Sequence, residues 1–393
     1  MKPFASRTGR LKESGTVRVA EAVGRLRREG RDIVSFSVGE PDFDTPVAVR
    51  AEAKAALDRG ETHYVSSWGI PELREAIARK HQKENALPCE AGDVLVAPAK
   101  QCIFYAITVL VDHGDDVLLP DPAWVTYEPL IRLAGGRPVP VRCRAEDGWR
   151  MTPAALRAAA EASPKAKLLI VNSPSNPTGA VQTRADLEAF AAVCRERDLW
   201  LLSDELYEKV LYEGEHVSPA SLPGMFERTV TVNGLSKSHA MTGWRMGWAV
   251  GPAPLLKEMN KIQQQSLTHP ASFSQRASVT ALTMDDAPIR AMVAEFRARR
   301  DLMLEGLRRI PGFHVATPPG AFYTFPRYDF DMDSLAFAEH LLHKGGVATT
   351  PGIEFGAAGE HHLRMSYATS RDRITEGLRR VADAVHELPL RRA

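Results

Sequence analysis

The chain has 393 residues, more than one ordinary hydrophobic core can organise, so we expect two domains or a large domain with a satellite. Apolar residues make up 44% and charged residues 25%, the balance of a globular protein in water. The 50 basic and 49 acidic side chains give a net charge of +1, so no overall field favours binding to nucleic acid or an anionic membrane.

Targeting and metal-binding signals are weak. The amino terminus, MKPFASRTGRLKESG, lacks the apolar stretch of a signal peptide, and no apolar run reaches the length of a membrane span. No two of the four cysteines have CxxC spacing; they are Cys89, Cys102, Cys143 and Cys194. We therefore expect neither a disulfide framework nor a metal site, and a reducing cytoplasm as the location.

Short apolar runs alternate with helical patterns along the first two thirds of the chain. The runs, each ending in turn-forming residues, cover 93–99, 116–122, 167–179, 199–205 and 229–234. Amphipathic helical patterns lie between them, as at 71–85 and 184–198. This alternation predicts an α/β fold in which a mostly parallel sheet is sandwiched by helices.

The texture changes near residue 285. A long amphipathic helical pattern rich in arginine covers 287–310, and mixed short strands and helices follow. We predict a large domain over 46–285 and a smaller α+β domain over 286–393, with an N-terminal segment over 1–45 that joins the small domain.

Polar residues cluster where the apolar runs end. In an open parallel sheet, ligands bind outside the carboxyl ends of the strands. The sequence therefore predicts a binding site formed by these run ends: Ala99 and Lys100, Asp121 to Trp124, Asn172 to Gly179, Asp204 to Tyr207, and Asn233 to Lys237.

Two of these residues have the chemistry of a catalytic pair. Lys237, in NGLSKSHAMTGWRMGW, is either a solvated loop lysine or a partly desolvated one that can form a Schiff base. Asp204 ends the run LWLLSD and either caps a helix or pairs with a cationic ring nitrogen, which keeps such a ring able to accept electrons.

Other candidates also have two interpretations. Tyr207 is a half-buried tyrosine or a donor to a ring oxygen, and Trp124 is a core aromatic or the cover of a planar ring. The turn at 172–179, NSPSNPTG, is a plain loop or a source of fixed amides. Arg245 and Arg364 are surface charges or anion ligands. The alternating pattern HHLRMSYA favours a ligand role for Arg364, since an unpaired inward arginine would be costly.

Taken together, these motifs resemble the class I/II aminotransferases, which are pyridoxal 5′-phosphate enzymes of fold type I. The matching stretches are SVGEPDFDTP, THYVSSWGIPELREAI, NSPSNPTG, SDELYE, NGLSKSHAMTGWRMGW, GAFYTFP and LRMSYATS. They span nearly the whole chain and are most similar to the bacterial and archaeal aspartate aminotransferase branch. The resemblance implies a seven-stranded sheet, the pyridoxal phosphate cofactor and a homodimer with shared active sites.

The resemblance also implies a role for each matching residue at the cofactor. Lys237 forms the Schiff base and serves as general base, Asp204 pairs with the ring nitrogen, and Tyr207 completes the catalytic set. Asn176 and Tyr207 bind the phenolic oxygen, and Trp124 stacks on the ring. The phosphate ligands implied are Arg245, Ala99, Lys100, Ser236 and, from the neighbouring subunit, Tyr64.

For the substrate, the resemblance implies that Arg364 binds the α-carboxylate beside Gly39, with Trp124 and Asn176 nearby. A distal carboxylate is expected at Lys100, with Ser14 and Thr16, as in the bacterial branch. His269 is the rival cation because it stands where animal enzymes have an arginine. Two further positions compare with relatives: Lys12 matches a lysine of branch members that use prephenate, and Gly234 replaces a phosphate-binding serine of the animal enzymes.

The implied activity is ping-pong transfer of the amino group of an L-amino acid, with aspartate or glutamate as the expected donor, to a 2-oxo acid. A preference for prephenate, aromatic or neutral amino acids is an alternative, and so is a pyridoxal-phosphate C–S lyase of the same fold, which the aspartate-branch motifs oppose. A non-catalytic regulator with a preceding DNA-binding domain is disfavoured, because roughly 15 residues precede the first matching stretch, SGTVRVAEAV.

Overall fold

The computed structural model describes residues 4–5, 8–11 and 15–391, without the side chains at positions 10 and 16. The helices are α1 Gly15–Arg28, α2 Val47–Asp58, α3 Pro71–Asn85, α4 Ala99–Leu110, α5 Tyr127–Ala134, α6 Pro153–Ala162, α7 Arg184–Glu196, α8 Leu235–Ser238, α9 Ala253–Gln264, α10 Ser272–Thr283, α11 Ala287–Arg308, α12 Ser334–His340 and α13 Arg371–Val385. The strands are β1 Val34–Ser35, β2 Val94–Val96, β3 Asp116–Asp121, β4 Arg137–Arg142, β5 Ala166–Asn172, β6 Trp200–Asp204, β7 Thr229–Gly234, β8 Gly247–Val250, β9 Phe313–His314, β10 Tyr323–Thr324, β11 Arg327–Tyr328, β12 Val347–Ala348, β13 Thr350–Pro351 and β14 Leu363–Ser366.

The large sheet has seven strands in the order β2-β8-β7-β6-β5-β3-β4. β8 alone runs opposite to the other six strands, so β2 points the same way as the central strands. All five apolar runs form strands of this sheet, which confirms the predicted α/β fold.

The central strands are buried on both faces because helices cover both. Leu168 and Ile170 of β5 face the apolar cluster that contains Ile103 of α4. The alternate residues of the same strand, Leu169 and Val171, face the cluster formed with α6 and α7. Successive side chains of a strand point to opposite faces, and both faces are buried here. This is why β5 has a continuous apolar sequence rather than an alternating one.

Two strands of this sheet were not predicted. The sequence of β4, RPVPVR, contains two prolines, which oppose an interior strand, but β4 is the edge strand and pairs only with β3. The sequence of β8, GWAV, is short and follows the polar segment around Lys237. The turn-forming residues of that segment gave no indication that a strand follows.

The N-terminal segment packs with the C-terminal elements. β1 pairs in parallel with β12, and Phe36 belongs to one apolar cluster with Phe296 of α11 and Val381 of α13. The same cluster includes Phe322 and Tyr323, and both rings contact Tyr207 just after β6 of the large sheet. Among the described residues, no helix is both long and apolar enough to cross a membrane.

Candidate active site

A cavity of about 730 Å³ opens at the carboxyl ends of the central strands. It lies where β2, β5, β6 and β7 end, because these parallel strands deliver their last residues to one edge of the sheet. Eleven of the predicted site residues line it: Gly39, Ala99, Lys100, Trp124, Asn176, Asp204, Tyr207, Ser236, Lys237, Arg245 and Arg364.

Lys237 lies on α8, which follows β7 without an intervening loop. Its Nζ donates a hydrogen bond to the carbonyl oxygen of Gly39 at 2.6 Å. Burial lowers the pKa of this amine to about 8; Glu40 works in the opposite direction, and Arg364 and Arg245 lower the pKa further. The lowered pKa increases the fraction of Lys237 that is uncharged near neutral pH, the state in which an amine acts as nucleophile or base.

Asp204 lies at the end of β6 and is 5% exposed. Its carboxylate accepts hydrogen bonds from the phenol of Tyr127 at 2.6 Å and from the backbone N–H of Leu206 at 3.3 Å. Burial raises the pKa of Asp204 to about 6. Within the described part of the chain no basic side chain forms an ion pair with it, so a cationic ligand group would supply the partner that a buried carboxylate needs.

Tyr127 is a contact that sequence reasoning missed. It lies at the start of α5, three residues after Trp124, and the two rings meet edge to face at 5.2 Å between centroids. Its hydroxyl reaches Asp204 across 77 positions of sequence. The only local signal was its spacing from Trp124.

Arg364 lies on β14 and is 3% exposed. Its guanidinium donates to the carbonyl oxygen of Ser37 at 2.6 Å, to Oδ1 of Asn176 at 3.2 Å and to Oγ1 of Thr350 at 3.3 Å. These acceptors are neutral, and Nε has no partner among the described atoms. Burial lowers the pKa of this guanidinium, but arginine stays charged in proteins, so the site provides a cation for an anion.

The other end of the cavity has the features of a phosphate site. α4 begins at Ala99, and the first N–H groups of a helix are free to bind an anion. Arg245 lies nearby in the left-handed region, with φ of 59°, a conformation uncommon outside glycine and concentrated at functional sites. Gly247 lies so close that a Cβ there would be 2.7 Å from the nitrogen of Ala99.

Of the remaining predicted positions, only Tyr64 is described with its side chain, and it does not line this cavity. Tyr64 is 88% exposed and packs edge-on against His269, with 5.6 Å between ring centroids. Ser14 and Lys12 lie outside the described residues, and so does the side chain of Thr16.

The surroundings of His269 and Gly234 restrict what each position can do. Both nitrogens of His269 are engaged: Nε2 accepts the N–H of Val65 at 3.2 Å and Nδ1 donates to the carbonyl oxygen of Pro270 at 2.7 Å. At Gly234, a Cβ would lie 2.8 Å from the carbonyl oxygen of Met246, so a serine has no room there.

Several cavity residues were not predicted. Tyr323 and Glu40 belong to the motifs GAFYTFP and GEPDF, so the signal was present without a role attached. One face of α1 also lines the cavity, through Val17, Ala20, Glu21, Gly24 and Arg28. No local pattern reveals that contribution, because it depends on how the N-terminal segment folds over the sheet edge.

A second group of buried charges lies on the other side of the turn that carries Asp204 and Tyr207. Glu208 contacts the amine of Lys80 and accepts from Nδ2 of Asn85 at 2.7 Å, and Nε2 of His216 is 3.0 Å from Glu205. Burial alone would lower the pKa of His216. The neighbouring carboxylates, Glu205 first and then Glu208, act in the opposite direction, and the pKa is raised overall. Although the two glutamates and His216 are close enough to hold a metal ion, the amine of Lys80 already supplies a positive charge to Glu208.

The cavity fits the expected cofactor in charge and shape. It offers a lysine whose pKa is lowered to about 8, a buried carboxylate that no described basic side chain pairs with, an anion site at a helix start and an indole at its wall. The orphaned Nε of Arg364 remains for a second anion, which suits a carboxylate substrate.

Comparison with known proteins gives the same family. The family model for aminotransferase class I and II matches residues 31–381. A probable aspartate/prephenate aminotransferase of Thermus aquaticus is 43% identical over 390 residues, covering 98% of this chain and 100% of that one. An arginine–pyruvate transaminase of Pseudomonas aeruginosa is 40% identical over 362 residues, with 92% of each chain covered.

Solved structures agree. The structure of aspartate aminotransferase from Thermus thermophilus with maleate superimposes with a TM-score of 0.92 at 42% identity, covering 98% of this chain and 100% of that one. The chain therefore belongs to the class I and II aminotransferases, the family that transfers amino groups with pyridoxal 5′-phosphate.

Proposed function

We propose that this enzyme transfers the amino group of aspartate or glutamate to a 2-oxo acid, with Lys237 as the cofactor-binding lysine and general base. The observation that carries this proposal is the position of Lys237. It lies in one cavity with Asp204 and Arg364, and its pKa is lowered to about 8.

The remaining cofactor contacts are proposed by position around this lysine. Asp204 would face the ring nitrogen, Tyr207 and Asn176 the phenolic oxygen, and Trp124 the ring face. The phosphate would lie at Arg245, Ser236 and the start of α4 at Ala99 and Lys100. When bound, pyridoxal phosphate supplies an electron-accepting ring that makes the substrate Cα–H acidic.

Each protein group then has a limited task. The uncharged amine of Lys237 removes the Cα proton and returns it at a neighbouring carbon, within reach of its flexible stem. The carbonyl of Gly39 holds Nζ when it is free. Asp204, backed by Tyr127, keeps positive charge at the ring nitrogen.

Arg364 is proposed to bind the substrate α-carboxylate. Its guanidinium is already oriented by Ser37, Asn176 and Thr350, so little side-chain entropy is lost when a carboxylate binds. A carboxylate would also give the buried Nε the acceptor that the described protein atoms do not provide.

Lys100 is the proposed partner of a distal carboxylate. It lines the cavity, and its Nζ lies 5.0 Å from the centre of the Trp124 ring. His269 is a poorer candidate because both of its ring nitrogens bind backbone groups. A role for Ser14 and Thr16 beside Lys100 stays a prediction from the sequence.

The names of the relatives support more than one substrate choice. The Thermus aquaticus relative is named for aspartate and prephenate, whereas the Pseudomonas relative of similar identity is named for arginine and pyruvate. Activity toward prephenate, aromatic or neutral amino acids is therefore the alternative specificity. A C–S lyase activity has no comparable support among these names.

We also propose a homodimer in which Tyr64 reaches the partner's cofactor phosphate. The support is an aromatic side chain that is 88% exposed at a position matching the bridging tyrosine of the family. For the proposed domains 46–285 and 286–393, the joining of the N-terminal segment 1–45 to the smaller one is supported by the pairing of β1 with β12. A cytoplasmic location is supported by four free, buried cysteines.

A substrate panel tests the proposed specificity. The purified enzyme would be assayed with aspartate, glutamate, arginine, phenylalanine and alanine as donors and with 2-oxoglutarate, oxaloacetate and prephenate as acceptors. The proposal expects the highest kcat/KM for the two acidic donors. A higher kcat/KM for arginine or for a neutral donor would overturn it.

A further inference from the structure

Tyr323 is a buried tyrosine with its hydroxyl at the centre of the site. It lies on β10, is fully buried and lines the cavity. Its hydroxyl oxygen is 2.8 Å from the hydroxyl oxygen of Tyr207. Tyr323 comes from the C-terminal part of the chain and Tyr207 from the turn after β6, so this hydrogen bond joins two distant segments.

The same ring supports Arg364. The guanidinium carbon of Arg364 lies 4.7 Å from the centre of the Tyr323 ring, within the range of a cation–π interaction. On another side the guanidinium donates to Oδ1 of Asn176 at 3.2 Å. Arg364 therefore contacts Asn176 directly and Tyr207 indirectly, through Tyr323. Asn176 and Tyr207 are the two residues proposed to bind the cofactor's phenolic oxygen.

The hydroxyl of Tyr323 also fits closely against Gly39. A Cβ at position 39 would lie 2.7 Å from that oxygen. The carbonyl of Gly39 accepts the hydrogen bond of Lys237 Nζ. The hydroxyl of Tyr323 thus borders both the segment that holds the lysine and the phenol of Tyr207, while its ring packs against the arginine.

We propose that Tyr323 is a positioning residue that donates a hydrogen bond to Tyr207 and so couples the carboxylate-binding arginine to the phenolic oxygen of the cofactor. This inference rests on the proposed function of the site.

The direction of the hydrogen bond follows from what Tyr207 must do. A phenol has one proton, and Tyr207 needs it to donate to the ligand oxygen. Tyr323 must therefore be the donor within the pair. Burial raises the pKa of both phenols, so both keep their protons in the working pH range. Donation to the oxygen of Tyr207 polarises its own O–H and makes it a stronger donor.

A pH titration of the bound cofactor measures this effect. Tyr207 stabilises negative charge on the phenolic oxygen, and that charge is greatest when the Lys237 nitrogen linked to the cofactor carries no proton. A weaker donor at Tyr207 should therefore raise the pH midpoint at which the visible absorbance changes. The charged and titratable groups that act on this nitrogen or the phenols are Glu40, Asp204, Arg245 and Arg364, and none is changed by the substitution.

The test is Tyr323→Phe, which keeps the ring over Arg364 and removes only the hydroxyl. Tyr328→Phe is the matched control: Tyr328 is also buried in the C-terminal part, and its hydroxyl donates to the carbonyl oxygen of Met332 at 3.1 Å, outside the cavity. We expect Tyr323→Phe to raise the absorbance midpoint by about half a pH unit, and the control to leave it unchanged. That shift equals about 0.7 kcal/mol and is the size of one neutral hydrogen bond.

A double variant separates the proposed coupling from general loosening. If Tyr323 acts through Tyr207, then adding Tyr323→Phe to Tyr207→Phe should not move the midpoint further. A midpoint in Tyr323→Phe equal to that of the control would overturn the inference, and so would additive shifts in the double variant.

The same samples distinguish this inference from the proposed function. If borohydride attaches the cofactor to a lysine other than Lys237, the site assignment itself fails. If Lys237 is labelled but Tyr323→Phe titrates like the control, only the role of Tyr323 fails. Should Tyr323→Phe not fold, Tyr207→Phe still tests the pair, because its midpoint must rise by more than the half unit expected from Tyr323.

Discussion

Replacing Lys100 with methionine should reduce activity toward acidic donors selectively. Lys100 is the second residue of α4, and its stem lies at the cavity wall beside Trp124. Methionine keeps an unbranched apolar stem there while it removes the charge. The matched control is Lys257→Met on the exposed surface of α9, which removes one lysine charge outside the residues lining the cavity.

The size of the loss follows from the exposure of Lys100. Burial, followed by Arg245, lowers the pKa of its amine, yet the residue as a whole remains exposed. An interaction with a distal carboxylate there is weaker than a fully buried pair and resembles a hydrogen bond to a charged group, worth about 1.5–3 kcal/mol. That energy corresponds to a loss of roughly 10- to 150-fold in kcat/KM for aspartate and glutamate.

Steady-state assays of both variants with aspartate, glutamate, alanine and phenylalanine would measure this loss. The reasoning requires a fall for the two acidic donors and little change for the two neutral ones. Equal losses for acidic and neutral donors would refute it, and would leave Lys100 with a role at the phosphate. Loss of dicarboxylate activity in His269→Ala with Lys100→Met unaffected would instead implicate His269.

Three further predictions concern other parts of the molecule. Lys80→Met should destabilise the protein by about 3–5 kcal/mol, since it leaves the buried carboxylate of Glu208 without its cation. Denaturant unfolding measures this loss, and the double variant Lys80→Met/Glu208→Gln should recover much of it. Cofactor rebinding to the cofactor-free enzyme should become faster as pH rises through about 8, because the pKa of Lys237 is depressed and the free amine is the reactive form. A rate that does not change between roughly pH 6 and pH 9 would contradict this. Tyr64→Ala and Lys237→Ala should each be poorly active, and mixing them under conditions that exchange subunits should restore one intact site per heterodimer; an active monomer in light scattering would rule this out.

The sequence was informative wherever the signal was local. The five predicted strands are continuous apolar runs because helices cover both faces of the central sheet, and their ends carry Asp204 and Lys237 directly into the cavity. Motif order was sufficient to place Asn176 and Arg364 there too, although 188 positions of sequence separate them.

What the sequence did not reveal depends on contacts between distant segments. Tyr127 reaches Asp204, and Tyr323 reaches Tyr207, only after the sheet has formed and the C-terminal strands have packed against its edge. The proline-containing strand β4 was missed for a different reason: its missing N–H groups are tolerated only at an edge, and edge position is a property of the assembled sheet.

The most direct test of the account is to identify the lysine that binds the cofactor. The enzyme would be reduced with borohydride in the presence of pyridoxal phosphate, digested and mapped by mass spectrometry, with Lys237→Ala treated in parallel. The account predicts that the label attaches to Lys237, and that Lys237→Ala lacks both the label and the visible absorbance of the bound cofactor. A label on another lysine, such as Lys100, or unchanged absorbance in Lys237→Ala would contradict it.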